Sequence, residues 1–339
     1  MRYLQDTLKA AFVYSLSRNH HKHVAPLALS RKVEPSEKPD NIILDGVGLA
    51  TTTDDDAVDL KEFRPKGLFI DPIVRGDKTD YKIKTKNNDY ELTTLEQIDR
   101  VGLHAKSYLT SQSNSYKAKK NEPDSLRIAI GGTRDQDWGR TFAMHVTKMP
   151  IHYEKHLREF VDKTLDTYSK NYPEAKLPKD IVVSGHSAGA THANKVFEIL
   201  SEKNIPNVHL HLYEPFGAKF SKLKPEHQEK AVSYRTHNSF LERFPLDGDT
   251  IGREKKLPPS SVQKKVSNGM LIAIAEGLFG VSIEGHKIPS IIDSALDGKV
   301  LQEVKPLKEG SRSMPNLTSY VSQYAKGMSR NLSAGVIRA

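Results

Sequence analysis

The chain has 339 residues, 37% of them hydrophobic and 27% charged, with a formal net charge of +9. That length admits one large domain with extensions or two modest domains, and either can bury a substantial core. There is no cysteine, which excludes disulfides, thiolate metal sites and a cysteine nucleophile, so any nucleophile is an oxygen or an amine.

Residues 1–33 carry six Lys or Arg against Asp6 alone. No clean apolar stretch there leads to a small-residue cleavage site, so no signal peptide is expected. The far end is also basic, with six Lys or Arg against two Glu over 302–339. The simplest reading makes both ends solvated tails; the other is affinity for an anionic membrane surface, with no nucleic-acid partner expected. The most apolar run, "GMLIAIAEGLFGVSI" (269–283), is interrupted by Glu276 and three glycines and is too short to span a bilayer. Compartment is left open.

From 34 to 90 the chain is rich in Pro, Asp, Lys and Asn, with apolar islands "NIILDGVGLA" and "KGLFIDPIV". This reads as a strand-and-loop elaboration. The acidic run Asp54, Asp55, Asp56 and the "HHKH" of 20–23 read as solvated loops rather than metal ligands.

Regular alternation begins near residue 93. "TTLEQIDRVGLHAKSYL" predicts a helix, and "SLRIAIGGT" a buried strand ending in glycines. "YEKHLREFVDKTLDTYSKNYP" sets Tyr153, Leu157, Phe160, Val161, Leu165 and Tyr168 on one helical face, with Glu154–Arg158, Glu159–Lys163 and Asp166–Lys170 as favourable pairs four apart. Pro173 helps to end that helix. "DIVVSG" is the next strand, "AGATHANKVFEILSEK" the next helix, and "VHLHLYEPFG" and "KAVSYRTHN" are further strands. Strands separated by helices of this length predict an α/β fold, a mostly parallel central sheet with helices on both faces. The organisation expected is an extension over 1–89, a core over 90–295 and a basic extension over 296–339.

Gly185-His186-Ser187-Ala188-Gly189 fits G-x-S-x-G between a predicted strand and a predicted helix, the context of a nucleophile elbow. The glycines suit a tight turn with neighbouring backbone close by, and the helix amino terminus favours negative charge developing at Ser187. A serine hydroxyl needs a base and an orienting carboxylate. In an α/β-hydrolase the order along the chain is Ser, then acid, then His. Among the later histidines, His192 falls on the helix, and His209 and His211 fall within a strand, as packing or surface residues. His286, in "IEGHKIPSIID", is the candidate base. Between Ser187 and His286 the only aspartates are Asp247 and Asp249. Asp249 is preferred, Asp247 is the alternative and Glu242 the fallback. The oxyanion needs preorganised donors: the N–H of Ala188, and Thr133 after the permissive Gly131 and Gly132.

"GGTRDQDW", "GHSAGATHA", "LYEPFGAKF" and the late Asp and His resemble the class 3 lipases, the α/β-hydrolase family that includes fungal triacylglycerol lipases and phospholipases A1. The resemblance covers about residues 90–295. It implies Ser187 as nucleophile, Thr133 and Ala188 as the oxyanion pair, and Asp137 and Trp138 as the signature after the oxyanion loop. Gly131, Ala188, Ala190 and "YEPFG" depart from the family pattern and mark a divergent member. A lid is implied over "GRTFAMHVTKMP", with Phe142, Met144, Val146 and Met149; ordinary core packing explains those residues equally well. Met270 to Ile283 reads as a buried helix or a lipid contact. The activity expected is hydrolysis of a lipid ester through an acyl-enzyme, with no metal or organic cofactor. The alternatives are a soluble short-chain carboxylesterase and a catalytically silent membrane-binding module.

Overall fold

The computed structural model describes residues 38–52, 60–112, 123–132, 153–174, 177–215, 225–236, 251–257, 287–296 and 302–304. Among them, ten strands form one sheet whose spatial order follows the chain. They are β1 (Phe69–Arg75), β2 (Lys78–Lys84), β3 (Asp89–Arg100), β4 (Leu103–Gln112), β5 (Ser125–Ile130), β6 (Asp180–His186), β7 (Val208–Tyr213), β8 (Ala231–Thr236), β9 (Arg253–Leu257) and β10 (Gln302–Val304). The helices are α1 (Pro39–Ala50), α2 (Glu154–Asn171), α3 (Gly189–Glu202) and α4 (Ile288–Leu296), with short 3-10 segments at Leu60–Lys66 and Pro225–Lys230.

The sheet is mixed, which corrects the expectation of a mostly parallel one. β1 to β5 form an antiparallel meander. β5 to β9 run parallel, and β10 returns antiparallel on β9. The cause is local. Gly76 and Asp77 join β1 to β2, and Val101 and Gly102 join β3 to β4, connections too short for a crossover. Gly102 takes φ 80, a left-handed conformation that glycine adopts without strain.

Two local expectations also change. Residues 93–109, predicted as a helix, form most of the β3–β4 hairpin. Leu92, Leu95 and Ile98 recur every three residues and so mimic a helical stripe. In the sheet, Leu92 joins one core while Leu95 and Ile98 serve the other. The register steps from Thr94↔Tyr108 to Glu96↔Ser107, so Leu95 is the extra residue of a bulge. Residues 39–50, read within a strand-and-loop region, form α1. That helix is buried from Ile42 through Ala50, and burial all round removes the polar face from which a helical period is read.

The sheet is covered on both faces. On one, Leu157, Phe160, Val161 and Tyr168 of α2 and Ala193, Val196, Phe197 and Leu200 of α3 pack on Leu126, Ile128, Ile181, Val183, Leu210 and Leu212. On the other, Ile42, Val47 and Leu49 of α1 and Ile291 and Ile292 of α4 pack on Tyr108, Ala129, Tyr213, Val232 and Tyr234. Gly46 permits the α1–α4 contact, since a Cβ there would lie 2.6 Å from Ile292 Cγ1. Among the described residues no helix is long and apolar enough to cross a membrane.

Beneath the sheet centre, Asp45 of α1 is 1% exposed. Its carboxylate accepts from the Arg127 guanidinium, from His211 Nδ1 at 2.7 Å and from the Tyr213 hydroxyl at 2.8 Å. Asn41, one turn earlier on α1, accepts from Arg127 as well. Burial pushes the Asp45 carboxyl up, but Arg127, His211 and the Tyr213 hydroxyl outweigh it and hold the group below its ordinary value. The folded state therefore binds this proton less readily than the unfolded chain. Its contribution to stability is complete above the unfolded value near 3.8 and is lost as pH falls through the lower folded value.

Asp45→Asn leaves Arg127 buried without its counter-charge, and urea unfolding at pH 7 is expected to show a loss of about 3–5 kcal/mol. The variant is also expected to lose less stability than wild type on acidification below 3.8. Equal acid sensitivity in the two proteins would refute this account of Asp45.

Candidate active site at the carboxyl edge of the sheet

β6 places Ser187. Ile181, Val182 and Val183 are β-branched and fully enclosed, which suits a strand flanked by parallel neighbours with both faces covered. The strand ends at His186, and α3 begins at Gly189 with Ala188 as its N-cap. Ser187, between them, has φ 53, a left-handed conformation that costs a non-glycine residue on the order of 1–3 kcal/mol. Its N–H donates to Tyr213 O at 3.0 Å, and its carbonyl accepts from Ala190 N at 3.1 Å. Ser187 and Ala188 are partly exposed, whereas residues 181–186 and 189–194 are buried.

The glycines of the motif are explained by close backbone approach. A Cβ at Gly185 would lie 2.6 Å from Ala193 Cβ and 2.9 Å from Ala190 Cα, and one at Gly189 would lie 2.6 Å from Ile130 O. At the end of β5, a Cβ on Gly132 would lie 3.1 Å from both Ser187 Cβ and His186 O. The chain after β5 therefore starts against the serine. Ala188, the N-cap of α3, contributes one of the amide groups that have no intrahelical acceptor, and the helix dipole adds partial positive charge there.

Because β5 to β9 share one direction, Gly131, Ser187, Glu214 and Thr236 sit where successive strands leave the sheet, on one edge. Thr133, Asp137, Trp138, the 139–150 segment, Glu242, Asp247, Asp249, the 269–283 segment and His286 lie outside the described residues. Described chain resumes at Lys287, immediately before α4. Of the predicted set, the structure describes Ser187 and Ala188, side by side.

Of three histidines set aside in the sequence, one lies on a helix and two in a strand, and His211 there is bonded to Asp45. His192 lies on α3, 4% exposed, its ring edge-on to Tyr153 at 5.4 Å. His209 and His211 lie in β7. Among the described residues no grouping of His, Asp and Glu is suited to a metal ion.

Sequence reasoning missed Glu214. It follows β7 directly, is fully buried and has φ 47. Its backbone N–H donates to Tyr234 O at 2.8 Å, and its Oε1 accepts from the Thr236 N–H and, at 2.8 Å, from the Thr236 hydroxyl. The signal available was a glutamate ending an apolar strand immediately before a proline, where a charged side chain needs specific partners.

The class so defined is an α/β protein with a mixed sheet, covered on both faces, presenting a strained serine at a strand-to-helix turn. No family model matches the chain, and no curated protein matches it. Among solved structures the chain is similar to a mutant form of MDLA from Penicillium cyclopium, at 14% identity over 79% of this chain and 100% of that one, with a TM-score of 0.39. It is also similar to lipase II from Rhizopus niveus, at 10% identity over 49% of this chain and 66% of that one, with a TM-score of 0.33. The Rhizomucor miehei triacylglyceride lipase is similar at 12% identity over the same shares, with a TM-score of 0.28.

The left-handed turn reverses an ordinary order of stability. Ser187→Gly is expected to be more stable than Ser187→Ala by about 1 kcal/mol, because only glycine occupies that conformation freely. Thermal or urea unfolding of the two variants checks this, and an alanine variant of equal or greater stability would exclude stored strain at position 187.

Proposed function

We propose that the protein is a serine ester hydrolase of lipase type on an α/β-hydrolase fold, with Ser187 at its nucleophile elbow. The observation that carries the reading is the partly exposed Ser187 with φ 53 between β6 and α3, with Gly132 packed against it. Such a conformation is strained for serine, and strain of this kind clusters at functional turns. The sequence resemblance to class 3 lipases supports the same assignment.

In the proposed mechanism Ser187 Oγ attacks the ester carbonyl carbon while His286 accepts the hydroxyl proton. Asp249, with Asp247 or Glu242 as substitutes, orients the imidazole and stabilises its protonated form. The N–H groups of Ala188 and Thr133 hold the tetrahedral oxyanion. Collapse expels the alcohol, which leaves with the proton from His286. Water, deprotonated by the same histidine, then attacks the acyl-enzyme and releases the acid. This chemistry is complete without a metal or organic cofactor.

A lipid ester is the proposed substrate class, and a phospholipid is favoured because the net charge of +9 suits an anionic lipid surface. The test measures fatty acid released from mixed phospholipid vesicles and p-nitrophenol released from a soluble short-chain ester. Ser187→Ala is expected to lower both rates by at least about 10³-fold. Turnover of the soluble ester alone would point to a short-chain carboxylesterase. Salt-sensitive vesicle binding without any turnover would point to a silent membrane-binding module and overturn the catalytic assignment.

A further inference from the structure

Three strands end in steps along the carboxyl edge, and hydrogen bonds cross from each step to the next. Ser187, just past β6, donates its N–H to Tyr213 O on β7, and Glu214, just past β7, donates its N–H to Tyr234 O on β8. The Glu214 side chain extends this row, its Oε1 accepting both the N–H and the hydroxyl of Thr236, the last residue of β8. A charged residue at 0% exposure is rarely retained without a specific task for its oxygens.

The backbone at Glu214 is strained twice over. It has φ 47, and Pro215 follows, which favours extended conformations at the preceding residue. Ser187 and Glu214, at the ends of adjacent strands, are both left-handed, and backbone strain of this sort persists only where its surroundings over-determine it. Beneath them, Tyr213 and Tyr234 stack at 4.9 Å and 11°, which fixes β7 against β8 directly under the row. Glu214 thereby couples two places: the end of β7, which accepts the Ser187 N–H, and Thr236 at the end of β8.

We infer that Glu214 is a positioning residue of the ester hydrolase, its buried carboxyl tying the end of β8 to the end of β7 and so holding in place the strand end to which the Ser187 turn is bonded. The inference rests on the hydrolase reading. It assigns Glu214 no contact with substrate and no proton transfer. What the role requires is an acceptor oxygen at Oε1 rather than a charge that titrates during turnover. A misplacement of about 1 Å at a catalytic group is enough to cost on the order of 10²-fold in rate.

The experiment compares kcat and KM on the soluble p-nitrophenyl ester for wild type, Ser187→Ala, Glu214→Ala, Glu214→Gln and Thr236→Val, with thermal unfolding recorded for each. Glu214→Ala is expected to lower kcat by about 10²-fold with KM changed little. Glu214→Gln keeps an oxygen able to accept from Thr236 and recovers most of that loss. Thr236→Val removes the hydroxyl donor, keeps the backbone N–H and falls between the two. Wild-type kcat in a folded Glu214→Ala overturns the inference, as does an equal loss in the alanine and glutamine variants, which would make the charge itself essential. If Glu214→Ala does not fold, Thr236→Val decides: a lowered kcat supports the positioning role and a wild-type kcat refutes it. Absence of turnover in wild type, or full activity in Ser187→Ala, removes the hydrolase reading and the positioning role with it.

Discussion

A carboxylate without solvent cannot be left to itself, and Asp45 sets the terms for one whole layer of the molecule. Its oxygens are met by Arg127 from β5 and by His211 and Tyr213 from β7. One helical side chain thus joins two strands that lie on either side of β6. Removing water from a charge is costly, and the cost is offset only when several donors are held at close range. α1 therefore has one acceptable seat on the sheet, and the packing of α4 and the 3-10 segment at 60–66 follows from that seat.

The opposite face answers to a steric constraint rather than an electrostatic one. α3 must approach β5 and β6 closely enough that side chains at 185 and 189 would collide with Ala193 Cβ and Ile130 O. Glycine at both positions permits this approach, and the reward is geometric: the amino terminus of α3 is brought to the strand ends, with Ser187 at the corner. The two layers meet in β6, which is clamped from one side by the α3 contacts and flanked by the strands that Asp45 ties together. A serine in a strained conformation can persist there because rigid packing on both sides leaves it no alternative.

What the sequence made legible follows from how local each signal is. α2 was readable because it lies on the surface, so Leu157, Phe160, Val161 and Tyr168 alternate with charged residues at helical spacing. β5 to β8 were readable as compact apolar runs, and Ser187 because its motif is contiguous. The β3–β4 hairpin was misread because Leu92, Leu95 and Ile98 serve opposite faces across a bulge, and a one-dimensional pattern does not distinguish that from a helix. α1 was missed because it is buried from Ile42 through Ala50 and so has no solvent-facing stripe of polar residues there. Within the candidate site, the turn at Ser187 and Ala188 between a strand and a helix was legible. Glu214 and the Asp45 cluster were not, since each depends on partners brought together from distant parts of the chain.

The burial of α1 has a consequence for the order of events during synthesis. Its partner α4 is made far later; Lys66, at the end of the 3-10 segment that follows α1, and Asp293 of α4 form an ion pair across 227 residues. Until those late residues emerge from the ribosome, an early helix with Ile42, Val47 and Leu49 to bury waits without α4. Contacts of such long range close slowly, and an uncovered apolar segment is a target for chaperones and a nucleus for aggregation. The nascent chain is thus at its most vulnerable late in translation, with the sheet largely complete and one of its faces still open.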